Sequence, residues 1–213
     1  MRFASVVLDV DSTLSDVEGI DWLAAQRGRE VELWSAELTA RAMAGDIPID
    51  AVYGERMNVI RPTLSEIQDL GRVYLDRMAA GARETLHEFR KAGMDLVMVS
   101  GGLRQAILPL AAELGVAEHK VHAVPVFFAA NGAYAGFDNA SPFTRQTGKR
   151  EEVAKMRLRA PVLAVGDGMT DAEMKSVVDS FAAFTGFQRR EPVVELANHV
   201  VKDFNELHAL VLE

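Results

Sequence analysis

Apolar and polar positions alternate along this chain in two distinct textures. Phe3-Ala4-Ser5-Val6-Val7-Leu8 is a short, β-branched run that stops at polar residues, the pattern of a buried strand. From about residue 15 to about residue 80 the spacing becomes helical, with Ile67, Leu70, Val73, Tyr74 and Met78 recurring on one face. Thr63-Leu64-Ser65-Glu66, just after Pro62, has the form of a capping box that starts this helix. Breaks at Gly45 to Pro48 and at Arg61-Pro62 divide the block into several helices, and no convincing strand interrupts them.

After residue 80 strands and helices take turns. A helix over about 83 to 92 stops near Gly93, and the strand Asp95-Leu96-Val97-Met98-Val99 follows. Ser100-Gly101-Gly102 is predicted to open the next helix, which ends near Gly115. A strand around Val121 to Val126 comes next, then a hairpin through Asn131-Gly132 in which Phe127-Phe128 are expected to bury. Another helix begins near Lys149, and Val162-Leu163-Ala164-Val165 is a buried strand running into Gly166-Asp167-Gly168. Short strands near 181–184 and 199–201 complete the pattern. This alternation predicts an α/β fold with a parallel sheet covered on both faces, and the helical block reads as an insertion.

Size and charge narrow the function. The 213 residues suffice for one sizeable core plus a smaller unit, and 49% apolar with 25% charged residues is ordinary for a globular protein. A net charge of -8 argues against a nucleic-acid surface, yet local Lys and Arg can reverse the sign inside a pocket for a small anion. The absence of cysteine excludes disulfides and thiol nucleophiles and fits a reducing cytoplasm. Asp9 and Asp11 interrupt the only apolar stretch near the start, so no signal peptide is read there, and no run has membrane-spanning length. A cytoplasmic location without membrane or nucleic-acid partners is expected.

Candidate chemistry stands just past the predicted strand ends, where open α/β sheets bind ligands. Asp9-Val10-Asp11-Ser12-Thr13 concentrates negative charge there, which a cation or a proton must offset. Asp-x-Asp also serves as turn chemistry, but a calcium loop fails on spacing because Leu14 and Ile20 occupy its Gly and Glu positions. Ser100-Gly101-Gly102 offers one hydroxyl and several backbone N–H groups to an anion, without the glycines of a nucleophile elbow or a dinucleotide fingerprint. Lys149 opens a helix, where most lysines are solvated charges. Gly166-Asp167-Gly168-Met169-Thr170-Asp171 places two carboxylates around a Gly turn, suited to an oxygen-ligated Mg²⁺ or to a helix cap. The scattered histidines lack thiol or carboxylate company, so no zinc site is expected.

In that order the four motifs resemble those of the haloacid dehalogenase superfamily of phosphatases. Over essentially its whole length the chain most resembles the phosphoserine phosphatases, with further similar stretches at Glu18-Gly19-Ile20-Asp21, Arg41-Ala42-Met43, Glu55-Arg56 and Asn131 to Phe137. The resemblance implies a Rossmann-like three-layer core over 1–14 and 81–213, with a small helical cap over 15–80. It also implies that Asp9 attacks the phosphoryl group and that Asp11 acts as acid and then base. By the same resemblance Asp9, the Asp11 carbonyl and Asp167 hold Mg²⁺, with Asp171 positioning the shell. Ser100, Gly101 and Lys149 would bind phosphoryl oxygens, while Gly102, Thr170, Met43 and Ile49 line the substrate pocket.

The resemblance further implies that Glu18 reads an ammonium group and Arg56 a carboxylate, which makes phosphoserine the favoured small phosphorylated metabolite. Two positions depart from the family: Ile49 and Leu103 stand where it usually has phenylalanine, so a roomier, still apolar pocket is expected. Another small phosphomonoester, transfer of the phosphoryl group to an alcohol such as homoserine, and non-catalytic sensing of a phosphorylated metabolite remain alternatives. A monomer or homodimer is expected.

Overall fold

The computed structural model describes residues 2–213. Its first strand, β1 (Ser5–Leu8), is buried at all four positions. A central strand covered on both faces has that character, and a continuous apolar run provides it. The helical block follows as α1 (Gly19–Ala25), α2 (Arg29–Ala44), α3 (Tyr53–Ile60) and α4 (Leu64–Asp76). Then come α5 (Ala82–Lys91), β2 (Asp95–Leu103), α6 (Arg104–Glu113) and β3 (Val121–Val124). A hairpin of β4 (Val126–Phe128) and β5 (Tyr134–Phe137) precedes α7 (Gly148–Val153), β6 (Val162–Gly166) and α8 (Met169–Ala172). The order closes with β7 (Ser180–Phe184), α9 (Glu191–Leu196), β8 (His199–Val201) and α10 (Phe204–Leu212).

Six strands form one parallel sheet in the order β3-β2-β1-β6-β7-β8. Val7 lies opposite Val97 on one side and Ala164 on the other, so β1 occupies the middle. The connections leave β1 in opposite directions along the sheet, which makes its carboxyl end the topological switch point. Fully buried Val6, Val7, Leu8, Phe89, Phe181 and Phe204 belong to a core shared by sheet and helices. Removing each large side chain from water contributes about 1.5–3 kcal/mol.

The chain leaves the sheet region for the helical block and returns to it side by side. Ser15 bridges Met78, its hydroxyl donates to the carbonyls of Tyr74 (3.1 Å) and Arg77 (3.0 Å), and the Ala79 N–H donates to Leu14 (2.9 Å). α4 then lies against α6 where Gly71 permits close approach, since a Cβ there would stand 3.2 Å from the Ala106 carbonyl and from Pro109 Cγ. The Thr63–Glu66 capping box is formed as the sequence predicts. Arg27 ties the segment after α1 to α4 by donating to both oxygens of Glu66, at 2.6 and 2.7 Å. That donation pulls the Glu66 carboxyl down to about 2.

Three local expectations are corrected. Ser100-Gly101-Gly102 does not open a helix; β2 continues through Leu103, which pairs with Val124 after a register shift, and α6 starts at Arg104. The strand expected to run to Val126 is broken at Pro125, which has no N–H for a ladder, and Val126 begins the separate hairpin. Phe127 is half exposed, because a two-stranded hairpin covers only one of its faces; Phe128 alone packs against the core.

Candidate active site

Asp9 follows directly on β1, and its N–H donates to Val165 (2.9 Å), extending the central pairing by one residue. The chain then turns sharply: Val10 O accepts from the amides of Thr13, Leu14 and Ser15, and Ser12 takes a left-handed φ of 51°. Such a conformation is uncommon for a residue with a Cβ. It allows the Ser12 hydroxyl to donate to Glu18 Oε1 at 2.7 Å. The strand-end motif and the entrance of α1 are thereby fastened together.

Lys149 is buried rather than solvated. From the first turn of α7 its ammonium donates to Asp9 Oδ1 (2.6 Å) and Asp171 Oδ1 (2.7 Å). Burial alone would lower its pKa, but the charges of Asp171 and Asp9 outweigh that and hold it above the ordinary lysine value. Asp171 is fully buried behind the pocket, and burial together with the Asp9 charge pushes its carboxyl up to about 7. Its other oxygen accepts the Gly168 N–H at 3.0 Å. Gly166 must be glycine here, because a Cβ would overlap the Asp171 carboxyl.

Asp167 accepts from Thr13 Oγ1 (3.4 Å) and from Arg190, a residue that sequence reasoning missed. Arg190 precedes α9, also donates to the Asp167 carbonyl (3.3 Å), and stands 3.6 Å from Glu18. One carboxylate oxygen from each of Asp9, Asp167 and Asp171 falls within 4.8 Å of the others. All three side chains are buried, their donors are hard oxygens, and Asp11 and Glu18 add two more carboxylates to the pocket beside them, against the cations Lys149 and Arg190. That donor set fits a divalent cation.

Asp11 is held by two donors, the Tyr74 hydroxyl on Oδ1 (2.5 Å) and the Gly19 N–H on Oδ2 (3.2 Å). Desolvation in the pocket, and next the charge of Glu18, push its carboxyl well above the usual range despite the Tyr74 hydrogen bond. Glu18 is raised as well, chiefly by desolvation, with the Ser12 hydrogen bond opposing. A carboxyl raised above its ordinary range by burial gives up and takes back a proton more readily near neutral pH than an exposed one, which suits general acid–base work.

The helical block supplies the opposite wall. Arg56 is 3% exposed, with Nε donating to Ser35 (3.0 Å) and Nη2 to Asp21 (2.6 Å) and Thr39 (2.8 Å). Nη1 has no hydrogen-bond partner among the described residues, and Arg56 lines the pocket. Ser35, Thr39 and Ala42 are the buried residues of α2, so that helix turns a small and polar face inward. Met43 Sδ would lie 2.7 Å from a Cβ at Gly168, which seats the end of α2 on the turn after β6.

Of the residues singled out from sequence for the site, all but Asp171 and Leu103 line this one pocket, with Gly102, Ile49 and Thr170 among them. Leu103 is buried in the sheet region instead. Phe143 lines the wall beside Ile49, and the two flank Gly101, whose Cβ position is 3.4 Å from the Phe143 carbonyl and 4.0 Å from Ile49 Cδ1. The pocket is therefore not short of aromatic surface. The Tyr53 hydroxyl, donating to the Gly101 carbonyl at 2.9 Å, orients the turn from the side of the helical block.

A model of haloacid dehalogenase-like hydrolases matches residues 6–175. The chain belongs to that family. Among related haloacid dehalogenase-like hydrolases, chloroplastic phosphoserine phosphatase of Arabidopsis thaliana is 34% identical over 212 residues, covering 95% of this chain and 70% of that one. Phosphoserine phosphatase of Rattus norvegicus is 33% identical over 206 residues, covering 95% and 91%. A phosphoserine phosphohydrolase-like protein from Francisella tularensis shares the fold with a TM-score of 0.90 at 24% identity, covering 100% of both chains. A substrate-bound phosphoserine phosphatase complex shares it at 0.83 and 22%, covering 99% of each. No helix among the described residues is long and apolar enough to cross a membrane.

Proposed function

We propose that this hydrolase removes the phosphoryl group of O-phosphoserine through an aspartyl-phosphate on Asp9. The observation that carries the reading is a single pocket with Asp9 and Lys149 at its sheet end and Glu18 and Arg56 in its helical wall. Relatives named phosphoserine phosphatase at 33% and 34% identity support it. An ammonium, a carboxylate and a phosphate are three charges, and the pocket presents a counter-charge to each.

An Asp9 oxygen attacks phosphorus in line, and the bond to the seryl oxygen breaks with its electron pair passing to that oxygen. Asp11 delivers its proton to the departing alkoxide. Water next attacks phosphorus and gives a proton back to Asp11, and the Asp9–phosphorus bond breaks to release phosphate. Ser100, the Gly101 amide and the Lys149 ammonium hold the phosphoryl oxygens while charge redistributes. Mg²⁺, held by Asp9, the Asp11 carbonyl and Asp167 with Asp171 behind them, would offset the repulsion between carboxylate and phosphate. Residues 15–80 act as a cap that shields this exchange from bulk water. The reading places the protein in the cytoplasm, acting on a small soluble substrate.

A phosphate-release assay across O-phosphoserine, phosphoethanolamine and sugar phosphates, with Mg²⁺ and with a chelator, tests the proposal. O-phosphoserine should lead the panel and the chelator should stop turnover. Equal turnover of sugar phosphates would sink the substrate while leaving the phosphatase class standing.

A further inference from the structure

Tyr74 sits on the apolar stripe of α4, and its sequence context marks it only as a core residue. Its side chain is fully buried, and its hydroxyl donates to Asp11 Oδ1 at 2.5 Å. The same hydroxyl lies 3.4 Å from the Cβ position of Gly102 in the phosphate turn, and a Cβ on Gly19 would overlap it. The phenol thus stands where the acid/base carboxyl, the phosphate turn and the start of α1 converge.

A tyrosine packed for its ring alone would leave a buried hydroxyl without a partner, which is destabilising. Here the hydroxyl is spent on the one carboxyl whose orientation the reaction requires twice, first as acid and then as base. Tyr74 is itself anchored: its carbonyl accepts from Ser15, and α4 is seated on α6 at Gly71. The two Asp11 oxygens are held from opposite ends of the helical block, Oδ2 by Gly19 at the start of α1 and Oδ1 by Tyr74 near the end of α4.

We propose that Tyr74 is a positioning residue for Asp11, occupying Oδ1 as a donor so that the transferable proton resides on Oδ2. The proposal rests on the acid/base role given to Asp11 above. While Asp11 is protonated, the phenol O–H donates to the carbonyl-like Oδ1; after the proton has passed to the seryl oxygen, it donates to the same atom of the carboxylate. The carboxyl therefore keeps one orientation through both half-reactions, and that geometric constraint is where positioned groups lower barriers.

The test compares O-phosphoserine with S-phosphocysteine in single-turnover phosphorylation of Asp9. Both present the same ammonium and carboxylate, but a thiolate departs without protonation and an alkoxide does not. Y74F keeps the ring, and it should slow phosphorylation by O-phosphoserine about tenfold, equivalent to about 1.4 kcal/mol. The same variant should slow S-phosphocysteine less than about twofold, with little change in KM for either. G19A should reproduce the selective loss by displacing the phenol, and Y74F/G19A should be no worse than Y74F alone. Equal losses on both substrates, or wild-type rates in Y74F, would overturn the positioning role. D11N separates the two levels of inference. If D11N shows the strong selective loss while Y74F does not, Tyr74 is idle and the Asp11 role survives; if D11N shows no selectivity, the acid/base reading fails and takes the proposal with it.

Discussion

The two ends of the pocket solve opposite problems with charge. At the sheet end Asp9, Asp167, Asp171 and Lys149 are nearly sealed, and each side chain is bonded to another charged group of the site. At the helical end the Arg56 guanidinium is gripped by Asp21, Ser35 and Thr39 on two of its nitrogens and shares a mixed lining with Glu18, Tyr53, Met43, Ile49, Phe143 and Arg145. Buried ions are costly, so a site that keeps several must interlock them, and an interlocked set tolerates little variation. A wall that mixes ion-paired arginine with apolar side chains can be resized around a different leaving group with fewer charges to rearrange. Under the proposed function, that difference puts the chemistry at the strand ends and the selectivity in the helices.

Breaking the sheet end should have the largest effect. D9N is expected to lower kcat at least about 10⁴-fold on every phosphomonoester alike, because the nucleophile is common to all of them. Steady-state phosphate release with several substrates measures this, and a variant that spared one substrate would contradict the division. R56K comes next. It should cost on the order of a hundredfold in kcat/KM for O-phosphoserine but less than about threefold for phosphoethanolamine, which lacks the carboxylate. Comparable losses on both would mean that Arg56 supports the fold of the block and does not read the substrate.

The smallest effect concerns only the cohesion of the helical block. Glu66 is held down near 2 by Arg27, below the ordinary carboxylate value of 4.5, so its ion pair stabilises the fold above the unfolded pKa. That contribution is lost as pH falls from 4.5 toward about 2. Wild type should melt about 2–4 °C above E66Q near neutrality, corresponding to about 1 kcal/mol for a partly exposed pair. Thermal melts from pH 6 down to pH 2.5 should show this gap closing, with activity on O-phosphoserine near neutrality little changed. A gap independent of pH would show that the pair is not the source.

Legibility followed the same division. Asp9, Asp11, Ser100, Asp167 and Asp171 could be located because each follows a predicted strand next to an apolar run or a glycine turn, whereas Lys149, at the start of a helix, was given its role only by the family resemblance. Asp21, Ser35 and Thr39 could not, since a polar residue on an amphipathic helix looks the same whether it meets water or a buried guanidinium. Tyr74 was legible as core, and only its hydroxyl carried the unread information. Arg190 stands far from Asp167 and Glu18 in the chain and meets them only across the fold. Leu103 was misjudged because β2, expected to end at Val99, runs four residues further and carries Leu103 into the sheet, where it is buried outside the pocket.

By itself the sequence determined the parallel sheet, the inserted helices and the stations at the strand ends, because periodicity and glycine placement are local properties of the chain. Tertiary structure alone decided which polar groups meet. It buried Lys149 between Asp9 and Asp171, placed the Tyr74 hydroxyl on Asp11 and brought Arg56 into one pocket with Ser100 and Gly101. Those pairings join residues tens to more than a hundred positions apart, and no pattern of neighbours along the chain encodes a contact that exists only once the sheet and the helical block have packed together.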